Sequence, residues 1–479
     1  MKIAVASCGL GHVARGIESW ARDTAAALAE RGIDVTLFAG APVGAESGER
    51  RAEVGGRRSE VECSAASPLP LAPARIVVLP CLRRSDPRAE KWARRAPAFT
   101  WRWGWKDTYG IEQFTFWLRL WRRLRSGQFD ILHVQDPLLA LWCYRLRRAG
   151  WLRTREILAH GTREPAAFLG QLPFVQHLAP WHLEQALGRG ESIRCKVECD
   201  SRENKREDGR QRTEDRGLRS EVDPATGATA GSRSANYGRY DKALASGNRP
   251  DWGVIPNFVD TSAFAPLPET RPGESVALRG RLREKLGIPA EARVIGTVGA
   301  LLKSDQYKRY DYLFAEFGSF LKRNVPGGGN TWLLVAGARS AESDDLIRLG
   351  ETLAPGRLKI VSDLSRERMP DFYRAMDVFV LASLFEMMPV AGLEAMASGL
   401  PVVFHRHPLL EWVAGDGGVC IDMSAPGALA EYLARLTPDW VEQTGRKARS
   451  RAERVFARKA VIDQYVAYYR QVMAAKAVN

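Results

Sequence analysis

The stretch SLFEMMPVAGLEAMASGLPVV, residues 383–403, holds two glutamates, Glu386 and Glu394, eight residues apart. The run VFVLAS (378–383) is continuous, apolar and bounded by a turn, which predicts a buried parallel strand. Glu394 falls in a short helical run that the following Gly-Leu-Pro ends. Both glutamates therefore belong to a loop and a helix at the carboxyl end of a strand, where open α/β sheets bind ligands.

The chemistry of this strand, loop and helix favours a sugar that carries phosphate. Amides at a helix N-terminus suit an anion or sugar oxygens, and a carboxylate accepts hydrogen bonds from hydroxyl groups. For the two glutamates taken alone, a second interpretation stays open. In it, the segment is an ordinary strand-to-helix unit in which one glutamate caps the helix and the other is a surface residue.

Length and composition indicate a globular protein of several domains. The chain has 479 residues, which predicts two or three domains with a core each, and 45% of the residues are hydrophobic. No run of about 18 apolar residues suggests a membrane span, and MKIAVASCGLGH at the start lacks the apolar core of a signal peptide. We therefore expect a cytoplasmic protein. Its seven cysteines are odd in number and scattered, and we expect reduced thiols without a metal site.

The net charge of +14 predicts an acidic partner, and part of it is concentrated between residues 82 and 125. This region has twelve Lys and Arg against four Asp and Glu, interleaved with six tryptophans. Apolar residues from Ile111 to Leu124 recur at helical spacing with arginines between them. Two interpretations remain: a helix at the surface of an anionic membrane, with the protein peripheral on its inner face, or a domain helix with its apolar stripe on the core. Nucleic acid is the less favoured partner.

The first half of the chain alternates strands and helices. A strand over 2–6, a turn with Gly9 and Gly11, a helix over 15–31 and a strand over 33–39 form a βαβ unit whose glycines let the backbone approach a ligand. The pattern lacks the third glycine and the acidic residue of a dinucleotide-binding site. Two further strands, over 129–137 and 156–162, carry His133, for which a structural role is favoured, and His160, before a glycine and better placed to meet a ligand.

Two segments, about 45–70 and 189–250, are balanced in charge and predict disordered inserts, and 202–223 within the second carries seven basic and seven acidic residues and hardly an aliphatic one. The second half of the chain predicts another series of strands, at 293–298, 332–336, 358–361, 378–382, 401–404 and 418–421. We therefore predict an α/β protein with an N-terminal domain over 1–260, a second domain over 261–457 and a helix over 458–479 that crosses back to the first. Two α/β halves imply a cleft between them.

Five stretches resemble the retaining glycosyltransferases of family 4, which have the GT-B fold of two facing Rossmann-like domains. They are AMDVFVLASLFEMMPVAGLEAMASGLPVV (375–403), IPNFVDTSAF (255–264), YKRYDYLF (307–314), ASCGLGHVARGIESWARDTAAALAERGIDVTLFAG (6–40) and FDILHVQD (129–136). The resemblance covers nearly the whole chain except the inserts. Its most specific part is the Glu-x7-Glu element followed by EAMASGLPVV.

The resemblance implies a role for individual residues in binding a nucleotide sugar. Glu394 matches the ligand of the ribose hydroxyls, and Glu386 matches the glutamate beside the transferred hexose. The backbone amides of Met387 and Met388 match those that face the same sugar. Lys308 matches the lysine that neutralises the diphosphate.

On the first domain, the resemblance implies that His160 touches the donor sugar and that Gly9 and Gly11 let phosphate approach the backbone. Three departures stand out. Ala300 replaces an arginine beside the lysine, unless Lys303 or Arg309 substitutes. Met387 replaces a glycine, and Asn257-Phe258-Val259-Asp260 replaces Asn-Gly-Val-Asp.

We therefore predict a metal-independent, retaining transfer of a hexose from a nucleoside-diphosphate sugar, with no other cofactor, to a carbohydrate or lipid-linked hydroxyl acceptor. The absence of Asp-x-Asp from the sequence fits activation without a divalent metal. A role in cell-envelope polysaccharide or glycolipid synthesis follows from the same resemblance. The alternatives are a sugar-nucleotide epimerase of the same fold and a catalytically silent protein that binds membrane or nucleic acid.

Overall fold

The structure is a computed structural model that describes residues 1–13, 16–43, 49–50, 74–188, 251–302, 308–323 and 328–475. Two mainly parallel sheets organise these residues, one in each half of the chain. The predicted inserts at 45–70 and 189–250 lie outside the described residues, apart from Glu49–Arg50, which forms a short strand.

The first sheet has eight strands in the order β3-β4-β2-β1-β5-β6-β7-β8, and only β3 runs antiparallel to its neighbour. Its strands are β1 (Lys2–Ser7), β2 (Asp34–Pro42), β3 (Glu49–Arg50), β4 (Arg75–Cys81), β5 (Ile131–Val134), β6 (Arg155–His160), β7 (Val175–His177) and β8 (Gly253–Val254). Its helices are α1 (Gly16–Glu30), α2 (Pro87–Arg95), α3 (Thr108–Gly127), α4 (Pro137–Arg148), α5 (Ala166–Leu169) and α6 (Pro180–Ala186). We call this sheet with its helices the first domain.

The second sheet has six parallel strands in the order β11-β10-β9-β12-β13-β14. They are β9 (Arg293–Val298), β10 (Thr331–Gly337), β11 (Leu358–Ser362), β12 (Val378–Leu381), β13 (Val402–His405) and β14 (Gly418–Ile421). The helices of this second domain are α7 (Glu274–Lys285), α8 (Tyr310–Leu321), α9 (Ser343–Leu353), α10 (Met369–Arg374), α11 (Val390–Ala397), α12 (Pro408–Ala414), α13 (Ala428–Ala434) and α14 (Pro438–Arg451). The segment between β8 and β9 contains the predicted boundary at residue 260.

The predicted fold class, two Rossmann-like α/β domains, is confirmed. Strands β1, β5, β6 and β12 are buried along almost their whole length, because helices cover both faces of a parallel sheet. The sequence of such a strand is a continuous apolar run. The ends of most of these strands were therefore predicted to within two residues. Strands β4 and β7 were not predicted and extend the first sheet.

The last helix, α15 (Arg458–Ala474), follows the second domain but packs on the first. Its buried residues Tyr465 and Tyr469 share one core with Ile3 and Val5 of β1. Tyr469 also contacts the buried His133 on β5, with 2.7 Å between Oη and Nδ1, and Gln176 contacts the other ring nitrogen of His133 at 2.8 Å. His133 is therefore a structural residue, as predicted.

Helix α3 resolves the two interpretations of its apolar stripe. Of the predicted stripe, Ile111 and Leu124 are buried and Phe114 and Trp121 are half-buried, whereas Leu118 is exposed. The face of α3 that packs on the core of the first domain also includes the buried Phe116 and Leu120, which were not part of the predicted stripe. The exposed aromatic residues lie instead in the short 3₁₀ helix Ala98–Trp103 that precedes α3. Residues 82–125 therefore form two surfaces: an apolar face of α3 that lies on the core, and the 3₁₀ helix that exposes aromatic residues.

Candidate functional site

Loops at the carboxyl edges of the two sheets contact each other. The Arg163 guanidinium, after β6, lies 3.9 Å from the ring centroid of Phe385, after β12. Trp181 on α6 contacts Phe385 and also His407, whose ring centroid lies 4.7 Å away. These contacts join loops that follow strands in both sheets, and such edges are where open α/β sheets bind ligands.

A second contact joins the domains through Asp23 on α1 and Arg366, after β11. Two nitrogens of Arg366 approach the two carboxylate oxygens of Asp23, at 2.5 Å and 3.2 Å. This bidentate geometry is the most directional form of a carboxylate–guanidinium pair. The two domains are therefore joined by ring contacts and by an ion pair.

Lys308 and Glu386 form an ion pair within the second domain, with 2.6 Å between Nζ and Oε1. Lys308 precedes α8, and Glu386 lies in the loop between β12 and α11. Both side chains are mostly buried but still reach solvent. The structure thus brings together two predicted site residues that are 78 positions apart in the chain.

Glu394 lies on α11, where its carboxylate accepts a hydrogen bond of 2.8 Å from the hydroxyl of Tyr373. Burial raises the pKa of the Glu394 carboxyl to about 7, while the Tyr373 hydrogen bond and the charge of Arg366 act in the opposite direction. Asp23, which pairs with Arg366, adds to the increase in this pKa. Glu394 is therefore electrostatically coupled to the contact that joins the domains.

Two other predicted residues of this loop, Met387 and Met388, differ in burial. Met388 packs in the core of the second domain, and Met387 is half-buried. The carbonyl of Met388 accepts a hydrogen bond from the amide of Val390, the first residue of α11. The side chain of Met388 thus anchors the loop on the core.

His160 ends β6 and is buried beside two other histidines. Its Nδ1 lies 3.1 Å from Nδ1 of His177, and its ring packs edge-on against His182. Burial lowers the pKa of His160 to about 4, so its ring is neutral at neutral pH. Because His182 contacts Trp181, which contacts Phe385, a chain of rings connects His160 with the loop of Glu386.

Gly9 and Gly11 lie in the loop after β1. At Gly11 the backbone conformation favours glycine, whereas the atoms nearest Gly9 are the ends of two flexible side chains. A Cβ on Gly9 would lie 2.2 Å from Oε1 of Glu18 and 3.1 Å from Nη2 of Arg84. Gly11 has φ of +98°, which residues with side chains rarely adopt. The loop therefore packs closely on side chains of the first domain.

The position of the missing arginine is Ala300, after β9. Lys303 lies outside the described residues. Arg309 donates to the carbonyl of Met423, and its guanidinium stacks on the ring of Tyr312 at 4.2 Å. Arg309 is thus held by the segment that follows β14, whereas Lys308 points to Glu386.

Sequence reasoning missed a set of polar residues in the first domain that we call the Glu112 cluster. Its members come from four separate segments and meet only at the carboxyl edge of the first sheet: Cys8, His12, Arg84, Tyr109, Glu112 and Asp136. Asp136 alone carried a signal, as the polar end of a predicted strand. Tyr373, Arg366 and Asp23 were missed for the same reason.

Two further observations concern metal ligands and cysteine residues. Among the described residues, no group of three or more His, Cys, Asp or Glu could hold a metal ion. The described cysteines, Cys8, Cys81, Cys143 and Cys420, are free thiols. Burial raises the pKa of the Cys8 thiol, which is therefore protonated at neutral pH.

Two family models match the chain, one in each domain. "Glycosyltransferase Family 4" matches residues 14–189, and "Glycosyl transferases group 1" matches residues 292–439. Together they include the segments of His160, Lys308, Glu386 and Glu394, whereas β1 and the loop of Gly9 and Gly11 precede the matched residues.

Curated relatives match parts of the chain. A D-inositol 3-phosphate glycosyltransferase from Acidothermus cellulolyticus is 31% identical over 191 residues, which are 38% of this chain and 40% of that protein. An MMP alpha-(1->4)-mannosyltransferase from Mycolicibacterium hassiacum is 33% identical over 118 residues, 24% of this chain and 29% of that protein. The matched segments thus span less than half the length of these relatives.

Solved structures match along the whole chain. Sucrose-phosphate synthase from Thermosynechococcus elongatus has a TM-score of 0.61 at 18% identity and covers 99% of this chain and 100% of its own. HepE from Anabaena, solved with UDP and glucose, has a TM-score of 0.55 at 12% identity and covers 98% of both chains. At these identities the likeness concerns the fold. With a family model matched in each domain and this fold, the chain belongs to the glycosyltransferases of family 4, of the GT-B type.

Proposed function

We propose that this protein transfers a hexose from a nucleoside-diphosphate sugar to a hydroxyl acceptor, with retention of configuration at the anomeric carbon. The observation that carries the proposal is the ion pair of Lys308 and Glu386 at the carboxyl edge of the second sheet, followed by Glu394 on the next helix. A cation and two carboxyl groups suit a ligand that has both phosphate and hydroxyl groups. Family membership and the neighbour solved with UDP and glucose support the same class of donor.

In this proposal the nucleotide sugar lies along the second domain. Glu394 accepts hydrogen bonds from the ribose hydroxyls, and Lys308 pairs with the diphosphate. Glu386 accepts hydrogen bonds from the hexose, and the amides of Met387 and Met388 face the same sugar. Lys308 then exchanges its contact with Glu386 for the phosphate, which leaves the Glu386 carboxylate available to hydroxyl groups.

The first domain completes the donor site and supplies the acceptor site. Gly9 and Gly11 allow the loop after β1 to lie close to the phosphates, because neither residue places a side chain between the backbone and the ligand. His160, neutral at neutral pH, offers a hydrogen bond to the donor sugar without adding charge. The acceptor enters from the carboxyl edge of this domain.

The reaction breaks the bond between the anomeric carbon and the diphosphate oxygen and forms a bond from that carbon to the acceptor oxygen. Negative charge grows on the departing diphosphate, and the Lys308 ammonium stabilises it there. We favour attack from the same face as the leaving group, with the acceptor proton passing to a departing phosphate oxygen. We propose that no divalent metal takes part.

The acceptor and pathway are proposed from the relatives' names together with the resemblance of the sequence to family 4. Those names include an inositol phosphate glycosyltransferase, a mannosyltransferase and a mannosylfructose-phosphate synthase. The names support a carbohydrate acceptor, and the resemblance supports the proposal of a lipid-linked hydroxyl acceptor in cell-envelope polysaccharide or glycolipid synthesis. They leave the sugar and the base of the donor open.

The proposal is tested by measuring release of UDP, GDP or ADP from a panel of nucleotide hexoses by the wild type and by Glu386→Ala. We expect one donor to be turned over and the variant to be at least about tenfold slower, because a charged hydrogen bond to the hexose is lost. Glu442→Ala is the matched control, since Glu442 is exposed and pairs only with Arg446 in the described part of the chain. Equal turnover by Glu386→Ala would remove Glu386 from the site.

The same assay separates the alternatives. An epimerase of this fold would return an isomer of the nucleotide sugar without forming a glycoside. A silent binding protein would release no nucleoside diphosphate from any donor. Product analysis by mass spectrometry and NMR distinguishes these results and gives the configuration of the new bond.

We also propose that part of region 82–125 binds an anionic membrane surface. Phe99, Trp101 and Trp103 expose 60%, 51% and 40% of their surface in one 3₁₀ turn. The exposed basic residues Lys91 and Arg95 lie on α2, whose Trp92 packs on Trp105, which contacts Trp103. No helix among the described residues is long and apolar enough to cross a bilayer.

This arrangement fits the interface of a membrane rather than its interior. Aromatic side chains partition into the boundary between headgroups and acyl chains, and nearby lysines and arginines are attracted to anionic lipids. The protein would then be peripheral, on the cytoplasmic face, where a lipid-linked acceptor is within reach.

Sedimentation with vesicles tests this surface. We expect binding to vesicles that contain phosphatidylglycerol, weaker binding at high salt, and a loss of about tenfold or more when Phe99, Trp101 and Trp103 are all replaced by serine. Trp151→Ser is the control, because Trp151 is 62% exposed but lies outside this turn. Equal binding of the triple variant and the control would contradict the proposal.

A further inference from the structure

The loop after β6 reaches from the first domain to the second. It follows His160, the last residue of β6, and leads through Arg163 and Glu164 to α5. The Arg163 guanidinium lies 3.9 Å from the ring centroid of Phe385 in the second domain. Phe385 immediately precedes Glu386 in the loop between β12 and α11. A positive charge that belongs to the first domain therefore lies beside the proposed donor site.

Contacts within this loop constrain its backbone and keep its two charged side chains apart. The hydroxyl of Thr162 donates a hydrogen bond of 2.5 Å to Oε1 of Glu164. The other carboxyl oxygen of Glu164 lies 3.8 Å from Nε2 of His160, and this side chain is only 12% exposed. Glu164 thus turns back to the first domain, whereas the exposed Arg163 extends to the second. The loop presents a cation from a backbone that its neighbours hold in place.

The ion pair of Lys308 and Glu386 carries no net charge. Its Nζ and Oε1 are 2.6 Å apart, so the ammonium and the carboxylate neutralise each other. The diphosphate of a nucleotide sugar carries a negative charge on each phosphate. Another develops on the departing oxygen when its bond to the anomeric carbon breaks. One lysine beside a glutamate leaves most of this charge uncompensated, so a further cation stabilises the leaving group.

Three other arginines near the two carboxyl edges are held by groups of the protein. Arg366 and Arg84 each pair with a carboxylate of the first domain, and Arg309 donates to a backbone carbonyl after β14. The Arg163 guanidinium stacks on the ring of Phe385. A cation–π contact at an exposed residue is weak compared with charge-assisted hydrogen bonds to a phosphate. A phosphate is therefore able to draw Arg163 away from the ring.

We infer that Arg163 binds the diphosphate of the donor from the first domain and acts together with Lys308 on the leaving group. This inference rests on the proposed glycosyl transfer. When the donor binds, the guanidinium exchanges the ring of Phe385 for a phosphate, to which it donates paired hydrogen bonds. When the bond to the anomeric carbon breaks, its electron pair stays on the diphosphate oxygen. Arg163 and Lys308 then stabilise this charge from opposite domains.

Nucleotide binding tests the inference without turnover. Calorimetry measures the affinities of the wild type and Arg163→Ala for UDP, GDP and ADP, and ligand-observed NMR measures those for uridine, guanosine and adenosine. For the diphosphate that the wild type prefers, we expect the variant to bind about tenfold more weakly, which corresponds to about 1.4 kcal/mol. Affinity for the matching nucleoside should not change. Arg153→Ala is the matched control, because Arg153 is exposed and precedes the same strand, at the opposite edge of the sheet.

Turnover shows whether Arg163 acts on the charge of the transition state. We expect kcat of Arg163→Ala to fall by about 10²-fold, because a group that stabilises developing charge is lost. Arg163→Lys should recover part of this loss, since lysine keeps the charge but not the paired N–H groups. Arg163→Gln is neutral and should resemble Arg163→Ala. Equal kcat of the Lys and Gln variants would contradict a role of the charge.

Phe385→Leu separates phosphate binding from a contact that merely joins the domains. This variant removes the ring on which Arg163 stacks but keeps the guanidinium. We expect its affinity for the diphosphate to stay within about fivefold of the wild type. A loss as large as that of Arg163→Ala would show that Arg163 acts by joining the domains, and the inference would fall.

Diphosphate binding by the control variant distinguishes the inference from the proposed transfer. Thermal unfolding first checks that each variant is folded. Equal affinities of folded Arg163→Ala and Arg153→Ala for the diphosphate would overturn the inference and leave the proposed transfer intact. If the wild type bound none of the three diphosphates, the proposed transfer itself would be contradicted.

Discussion

Replacing Lys308 by alanine is expected to slow sugar transfer by about 10²–10³-fold, the loss seen when one group that stabilises developing charge is removed. Lys308 is the cation at the edge of the second sheet, paired with Glu386 at 2.6 Å. Its role is larger here because Ala300 stands where the family pattern has a second cation. The effect should appear mainly in kcat, because charge on the diphosphate is greatest in the transition state.

Arg309→Ala is the matched control for Lys308→Ala. Arg309 is the adjacent residue and carries the same charge, but its guanidinium is held by the carbonyl of Met423 and the ring of Tyr312. We expect this variant to keep most of its activity. Equal losses for both variants would mean that Arg309 substitutes for the missing arginine, and full activity of Lys308→Ala would remove Lys308 from the mechanism.

Replacing Glu394 by glutamine is expected to raise the donor KM by about tenfold to a hundredfold, because hydrogen bonds from ribose hydroxyls to a charged acceptor are lost. Burial raises the pKa of Glu394 to about 7, so the carboxylate form is present above that pH and is lost as the pH falls. Donor affinity of the wild type should therefore weaken below about pH 7. Affinity measured by calorimetry from pH 5.5 to 8.5 should lose this dependence in Glu394→Gln.

Tyr373→Phe checks the cause of this pH dependence. The Tyr373 hydroxyl donates a hydrogen bond to Glu394 and lowers the pKa of its carboxyl. Without that hydroxyl the pKa should rise, and the pH at which donor affinity weakens should move upward. If the inflection stays in place in Tyr373→Phe and persists in Glu394→Gln, a different group controls donor binding.

The coupling of Glu394 with Arg366 gives the donor site a physical connection to the first domain. Arg366 lies close enough to lower the pKa of Glu394 and is bound at the same time to Asp23 on α1. A nucleotide that contacts Glu394 therefore lies beside one of the contacts that join the domains. The other contact, between Arg163, Trp181 and Phe385, adjoins Glu386.

Much of the fold could be predicted from the sequence because it depends on local patterns. Buried parallel strands are continuous apolar runs, and β9 and β14 were predicted to the residue from such runs. Strands as short as β7, with three residues, carry too little pattern to be recognised. The helix α3 was predicted, but its periodicity did not indicate whether a protein core or a membrane covers its apolar face, since both are apolar.

In the candidate site, too, some features could be predicted from local patterns in the sequence and others could not. Glu386, Glu394 and Lys308 could be predicted as site residues because the two glutamates lie in one strand-loop-helix unit and the lysine lies in a stretch that resembles the family. By itself, the sequence determined the two α/β halves, the glycine loop and these three residues, because each depends on residues close together in the chain. Only the tertiary structure decided the partners of those residues. The contact of Lys308 with Glu386, of Glu394 with Tyr373 and of His12 with Glu112 each joins residues from 21 to 100 positions apart. Such contacts are set by how the sheets and helices pack, and packing depends on the shape of the whole core rather than on any local pattern of residues.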